Sequence, residues 1–458
     1  MTSADITLPG APAALVPPRP APASDDLSTL GRALMIRRNA IASWGERAYQ
    51  DDVVEGRFFR RTSLILNDPD AIRHVLVDHD ESYGRTAAAI RVLRPMLGEG
   101  LLLSTGRPWK HQRRTLAPAF TPRAVTLLVP HMRAVIAETV AALGGQTAAP
   151  VDLREAMQRM TLEIAGRTMF SVGMARHGAA LRGFVNEYGA RLAQPHLLDL
   201  VLPLGWPTPQ DLRRALFRRR WTGFVRGMIA ERRASPSEAE APRDLFDLML
   251  AARDPETGEG FSDDHLVDQV ATMILAGHET TATALFWALF LLAQDQPSQD
   301  RVAQEAAAAG ASPDPASLPF TRAVVDETLR LYPPAFLIAR QANRPDTVAG
   351  RPVRPGDVIL VAPWLLHRHA RLWRDPHAFA PQRFLDGPAP DRFAYLPFGV
   401  GPRICIGAHF ALVEAVLALA GLVARFRISL ADQKPVMPIG VVTTQPDRSP
   451  PFRLSPRD

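Results

Sequence analysis

Residues 262–294, SDDHLVDQVATMILAGHETTATALFWALFLLAQ, constrain the fold more than any other stretch. Ser262 is a helix N-cap residue, and Asp263 and Asp264 put negative charge in the first turn. If continuous, the segment is a helix of about 33 residues, or roughly 50 Å at 1.5 Å per residue. A rod of that length crosses a whole domain, so the other elements must pack around it. Its most apolar part, TATALFWALFLLA (281–293), falls short of the roughly 20 residues a bilayer needs and is expected to be core. Halfway along comes a polar interruption, AGHETT (276–281). Met273, Ala276, Thr280, Ala284 and Trp287 share one helical face. Ala276-Gly277 leaves room beside that face for a bulky planar ligand; the competing reading is a kink at Gly277. His278 is expected to pack or to face solvent, with no metal role.

The rest of the chain predicts helix with a modest β portion and no tandem βαβ series. FFRRTSLILND (58–68) reads as strand and DAIRHVLVDH (70–79) as helix. From about 107 to 300 the pattern is mostly helical, broken by PLGWPTPQD (203–211) and SPSEAEAPRD (235–244). FTRAVVDETLRLY (320–332) reads as a helix ended by Pro333-Pro334. TVAGRPVRPGDVILVAP (347–363) reads as a hairpin with a Pro-Gly-Asp turn. The Pro/Ala-rich first 30 residues suggest a loosely ordered arm, with no basic and apolar regions of a signal peptide. No membrane anchor is expected. The cationic excess is 53 − 47 = 6. It favours acidic partners, but no run is dense enough for nucleic acid.

One cysteine in 458 residues excludes an internal disulfide framework and a multi-cysteine zinc site. Cys405 lies in FGVGPRICIG (398–407), immediately before a strongly helical run, IGAHFALVEAVLALAGLVARF (406–426). A thiol at a helix N-terminus meets unpaired N–H donors and the positive end of the dipole, which lower its pKa. Gly399, Gly401 and Gly407 free the backbone to turn tightly against a flat ligand. A small buried hydrophobe in a glycine-rich turn remains the competing reading. In the 320–332 helix, Phe320, Val324, Glu327 and Leu331 fall within about 60° of one another. Glu327 therefore projects from the apolar stripe and needs buried donors, with Arg330 one turn away.

Taken whole, FGVGPRICIG resembles the haem-binding loop of the cytochrome P450 family at Phe398, Gly399, Gly401, Arg403, Cys405 and Gly407. AGHETT, ETLR, APQRF (380–384) and WKHQRR (109–114) resemble other family segments in the same order, over about residues 55–450. The resemblance implies a mainly α fold with a small β-rich lobe, a triangular haem-binding prism around a long central helix. It would make residues 31–458 one haem domain, although the length alone suggests about three units. Cys405 would be the axial ligand of the iron in haem b (iron protoporphyrin IX), its thiolate pushing electron density toward the metal. Phe398, Gly399, Gly407, Ala276 and Gly277 would lie against the haem. Trp109, Arg113, Arg340 and Arg403 would hold its propionates, with His111 and His367 as weaker candidates. Glu279 and Thr280 would form the acid–alcohol pair that delivers protons during oxygen activation. Glu327, Arg330 and Arg383 would brace the haem-side core. Gln382 stands where the family more often has glutamate, and Glu279 where it more often has aspartate.

The activity so implied is a monooxygenase acting on an apolar substrate such as a fatty acid, alkane, terpenoid, carotenoid or steroid. Ile90, Val92, Met273, Phe336, Leu337, Val441 and Val442 are the expected pocket contributors. Electrons would come from NAD(P)H through a separate ferredoxin reductase and ferredoxin, docking near Arg107, Lys110, Arg114 and Arg403. A soluble, cytoplasmic, bacterial monomer is expected. A haem-thiolate peroxygenase or isomerase, or a haem sensor without catalysis, are the alternatives.

Overall fold

The fold was analysed in a computed structural model that describes residues 14–457 apart from 59–60, 171–175, 197, 200–201 and 235–241. The first 13 residues of the arm and most of the 235–244 break therefore lie outside the described residues. From residue 14 onward the arm is tied to the body. The Leu15 carbonyl accepts from the Phe379 N–H at 2.7 Å. The Pro18 carbonyl accepts from the Tyr332 hydroxyl at 3.1 Å, and Ala23 bridges Gly45.

The long helix runs Asp263–Gln294, with the Ser262 hydroxyl accepting from the His265 N–H. It belongs to two separate apolar clusters. Its first half, Leu266–Ile274, packs with Phe217, Trp221 and Val225 of the helix Pro209–Arg233. Its second half, Ala282–Ala293, packs with the C-terminal helix Ala408–Arg425 and with Pro319–Leu331. There Trp287 stacks on Tyr332, with centroids 3.9 Å apart and planes 6° from parallel. Burying a large aromatic is worth about 2–3 kcal/mol, and both ring donors are satisfied: the Trp287 indole N–H reaches the Thr444 carbonyl at 2.8 Å. Between the halves, residues 276–281 belong to neither cluster. Pro122–Gly144, Asp263–Gln294 and Ala408–Arg425 are long and apolar enough to span a bilayer by length and composition. The latter two nevertheless carry the core described here.

The β lobe is a five-stranded sheet in the order β1 (Val53–Phe58), β2 (Arg61–Leu66), β7 (Val358–Val361), β4 (Ile338–Ala342) and β3 (Tyr83–Gly84). β2 and β7 are parallel, while the other neighbours are antiparallel. The hairpin expected over 347–363 differs from the prediction. β5 (Asp346–Val348) pairs with β6 (Arg351–Val353) around Ala349-Gly350, where φ is 47° and 74°. Pro355-Gly356-Asp357 instead turns the chain into β7, which joins the large sheet. Glycine supplies the positive φ at both turns, so composition alone did not say which one closed the hairpin. The 70–79 segment also departs from simple helix: α-helix ends at Arg73 and His74–Asp78 is a π-turn.

Candidate functional site

The cysteine loop is shaped by two left-handed glycines, Gly399 (φ 71°) and Gly401 (φ 74°). The second is also fixed by space, because a Cβ there would collide with the Leu76 carbonyl oxygen. The Cys405 N–H donates to the Phe398 carbonyl at 2.9 Å, closing the loop, and the C-terminal helix starts three residues later at Ala408. The dipole does not win at this thiol. Burial pushes the Cys405 pKa up, against a hydrogen bond from the Gly407 N–H and the Arg113 charge, which lower it. The surface Cys405 exposes belongs to an interior cavity of about 1280 Å³, which Ala276, Gly277, Glu279, Thr280 and Thr281, left out of both clusters, also border.

Around that cavity the structure gathers Trp109, Arg113, Ala276, Gly277, Glu279, Thr280, Arg340, Phe398, Gly399, Arg403, Cys405 and Gly407. Arg403 lies over the Trp109 ring at 4.5 Å and donates to the Ser104 carbonyl at 3.0 Å. Arg113 donates to the Ile404 carbonyl at 2.8 Å. Arg85, which no motif had marked, lines the cavity too, and its buried Nε has no partner. Burial, then repulsion from Arg340 and Arg403, lowers the Arg85 pKa to about 9. Burial, then Arg403, lowers that of Arg340 to about 10. Among the described residues, none of Arg85, Arg113, Arg340 and Arg403 is ion-paired with a carboxylate. A buried thiol whose pKa burial raises despite the Arg113 charge, and a buried arginine cluster without carboxylate partners, suit a metal-bearing ring with two carboxylates. On this ground the donor set fits haem.

Glu279 is clamped rather than free. Its Oε1 accepts from Gln445 Nε2 at 3.0 Å and from the Thr443 hydroxyl at 3.2 Å. Burial raises its pKa against those bonds and the Arg154 charge. Gln445 also accepts from Arg154 at 3.0 Å, extending the network away from the cavity. The Thr280 hydroxyl donates to the Ala276 carbonyl at 2.6 Å. His278 points the other way, into the core. Its Nε2 donates to the Gln158 carbonyl at 3.1 Å, and burial lowers its pKa to about 4.

Of the expected pocket residues, Val92, Met273, Phe336, Leu337, Val441 and Val442 line the cavity. Ile90 does not. On the helix Ala87–Leu97 it sits beside the Ala89, Val92 and Leu93 stripe that faces inward. His367 is also off the cavity: it is fully buried, and its Nε2 accepts from the Leu396 N–H at 2.8 Å. His111 instead meets Asp254 at 2.7 Å. Of the four cations expected to attract an acidic partner, Lys110 pairs with Glu81, Arg114 with Asp254, and Arg403 faces Trp109. Arg107 is exposed.

Behind the loop, Glu327 and Arg330 are fully buried and joined by two hydrogen bonds of 2.7 and 2.8 Å. Arg383 Nε reaches Glu327 Oε1 at 3.1 Å, and the Ala380 N–H reaches it at 2.8 Å. Arg330 also donates to the carbonyls of His367, Pro376 and Ala378. Every charge in the cluster is satisfied.

Comparison with known proteins agrees with this arrangement. The cytochrome P450 family model matches residues 25–449. Cyclooctatin synthase of Streptomyces melanosporofaciens is 33% identical over 415 residues, covering 88% of this chain and 88% of its own. Cyclooctat-9-en-7-ol 5-monooxygenase of the same organism is 33% identical over 415 residues, covering 87% of each. Cytokinin hydroxylase of Arabidopsis thaliana is 29% identical over 401 residues, covering 84% of this chain and 77% of its own. The chain belongs to the cytochrome P450 family and is a monooxygenase.

Proposed function

We propose that this monooxygenase inserts one atom of O2 into an unactivated C–H or C=C bond of an apolar small molecule. The balance is RH + O2 + 2e⁻ + 2H⁺ giving ROH + H2O. One observation carries the reading: a single cavity is lined by Cys405, by four arginines without a carboxylate partner among the described residues, and by the clamped Glu279 beside Thr280. Bound haem supplies the redox centre at which O2 is activated. Cys405 would ligate its iron, and Arg85, Arg113, Arg340 and Arg403 would hold its carboxylates. Burial pushes Glu279 toward its neutral form, while the Thr443 and Gln445 donors on Oε1 fix the carboxyl so that Oε2 is the oxygen left to take up and pass on a proton. Thr280 spends its hydroxyl hydrogen on Ala276, which leaves its lone pairs to orient a water in the cavity. Val92, Met273, Phe336, Leu337, Val441 and Val442 exclude water and take the substrate's apolar body.

The substrate class proposed is a fatty acid, alkane, terpenoid, carotenoid or steroid. The cavity volume of about 1280 Å³ leaves space for one beside the prosthetic group. A relative whose name specifies oxidation of cyclooctat-9-en-7-ol supports a carbocyclic alcohol or its hydrocarbon relatives within that range. Electrons are proposed to come from NAD(P)H through a ferredoxin and its reductase, in a cytoplasmic bacterial setting and with the chain a soluble monomer. With Lys110 and Arg114 ion-paired and Arg403 at the cavity, Arg107 is the exposed cation of the expected docking set without an ion pair among the described residues.

The test is an absorption spectrum of the dithionite-reduced protein with and without carbon monoxide. A long-wavelength Soret band that Cys405→Ala abolishes is the expected result. The same band in Cys405→Ala, or a protein that takes up no haem, would overturn the reading. A library of the named apolar classes, scored by shift of the iron's spin state, then identifies the substrate.

A further inference from the structure

Away from the cavity, the π-turn His74–Asp78 brings together side chains that a regular helix would keep apart. It is the only π-turn among the described residues. In an α-helix, residues five apart point roughly 140° from one another. A wider turn closed by an i→i+5 bond brings them back toward one side, and such turns are frequent at functional sites. Here the His79 N–H donates to the His74 carbonyl at 2.9 Å. The two imidazole rings lie with centroids 4.2 Å apart and planes 34° from parallel. Opposite them stands Asp346, the first residue of β5. Its Oδ2 meets His74 Nε2 at 2.9 Å and accepts from the Tyr83 hydroxyl at 2.5 Å. One ligand atom from each of His74, His79 and Asp346 lies within 4.8 Å of the others.

We propose that His74, His79 and Asp346 form a surface site for a divalent transition-metal ion, with Zn²⁺ the ion of choice. Two imidazole nitrogens and one carboxylate oxygen are the donors borderline ions take, whereas Mg²⁺ and Ca²⁺ demand oxygen shells. Three protein ligands leave a fourth position for water. The carboxylate is already oriented from behind. Tyr83 holds Oδ2, and the Thr347 N–H donates to Oδ1 at 2.7 Å, the kind of outer partner that steadies a metal ligand. An entering ion replaces one hydrogen bond, His74 to Asp346, and leaves Tyr83 and Thr347 in place. His74 and Asp346 are partly exposed and His79 is exposed, so the site opens to solvent. The ion would pin the β5–β6 hairpin to the π-turn, whose Leu76 carbonyl abuts Gly401 of the cysteine loop. The assignment does not depend on the substrate or the electron donor.

The experiment titrates the haem-loaded full chain with Zn²⁺ against a colorimetric chelator. One Zn²⁺ per chain is expected, together with a rise in Tm, because an ion that binds only the folded state stabilises it. His79→Ala and Asp346→Asn should each weaken binding at least about tenfold. His79 is exposed, so its replacement leaves folding intact. His265→Ala, an exposed histidine beside Asp263 and Asp264, should leave binding unchanged. Absence of Zn²⁺ binding, unchanged binding in His79→Ala, or an equal loss in His265→Ala would overturn the proposal. So would loss of the ion in Cys405→Ala with retention in His79→Ala.

Discussion

Replacing Arg330 with methionine isolates what the buried charge cluster contributes. The loss is asymmetric. Glu327 Oε1 keeps the Ala380 N–H and Arg383 Nε, but Oε2 loses its donor. The carbonyls of His367, Pro376 and Ala378 lose their guanidinium donor as well. Breaking a buried pair by removing one partner costs about 3–5 kcal/mol. Each carbonyl left dry adds about 1–3 kcal/mol. A cost of at least about 3 kcal/mol is therefore expected, a large share of the roughly 5–15 kcal/mol typical of a folded protein. The double variant Glu327→Leu with Arg330→Met leaves no stranded carboxylate, but the same three carbonyls still lack their donor. It should sit near the Arg330→Met single variant, not at the sum of the two singles, with a coupling of about 2 kcal/mol or more. Urea denaturation read by tryptophan fluorescence measures this. Trp373, 5.1 Å from the Arg330 guanidinium carbon, reports on the cluster itself. Additive costs, or an Arg330→Met cost below about 1 kcal/mol, would refute the view that unpaired charge dominates there.

Other expectations follow from the cavity. Thr280→Ala should uncouple oxygen consumption from product and release hydrogen peroxide; undisturbed coupling would remove Thr280 from the proton route. Gln445→Leu deletes a bond that lowers the Glu279 pKa, so it should move the Glu279-dependent limb of the pH–rate profile upward. An unmoved limb would dissociate Gln445 from the acid. Because the folded-state pKa of Glu279 is raised, the folded chain binds its proton more tightly, and that contribution fades as pH rises through the raised value. Glu279→Gln should therefore gain stability over the parent above that pH and lose the advantage below about pH 4.5. Thermal melts across pH check the sign. Gly401→Ala forces a Cβ into the Leu76 carbonyl at φ 74°, adding about 1–2 kcal/mol of left-handed strain to a collision. Reduced haem retention in the purified variant is the expected result.

The parts of the site written as short local patterns were legible from the sequence. The 398–407 loop was legible through its resemblance to the family's haem-binding loop, since its glycines and thiol alone also fit a small buried hydrophobe. The inward face of Glu327 needed only helical periodicity, and the long helix began and ended within a residue of its predicted limits. What could not be read depended on distant chain segments meeting. Arg85 is one arginine before a helix, with no motif around it; its meaning comes from Arg340 and Arg403 converging on it. Gln445 lies some 166 positions from Glu279, and no periodicity links them. The thiol pKa was misread because the helix dipole is local and visible in sequence, whereas the burial that outweighs it is not. The π-turn at His74–Asp78 escaped for a related reason. Its hydrophobic spacing matches an α-helix, and what sets it apart is i→i+5 backbone bonding such as that from His79 to His74.

The division of the long helix between two apolar clusters bears on how such a protein diversifies. Val92 and Leu97 of the cavity-lining helix Ala87–Leu97 draw their packing from the cluster around Leu266–Ile274, together with Pro209–Arg233. The charged brace and the C-terminal helix draw theirs from the cluster around Ala282–Ala293. Mutations at Val92 or Met273 therefore draw on a different store of stability than mutations at Phe336 or in the C-terminal helix. Distant, unshared sites combine nearly additively. A lineage, or a directed-evolution campaign, can thus vary the Val92 and Met273 side of the pocket while the cluster that holds Phe336 and the C-terminal helix stays fixed.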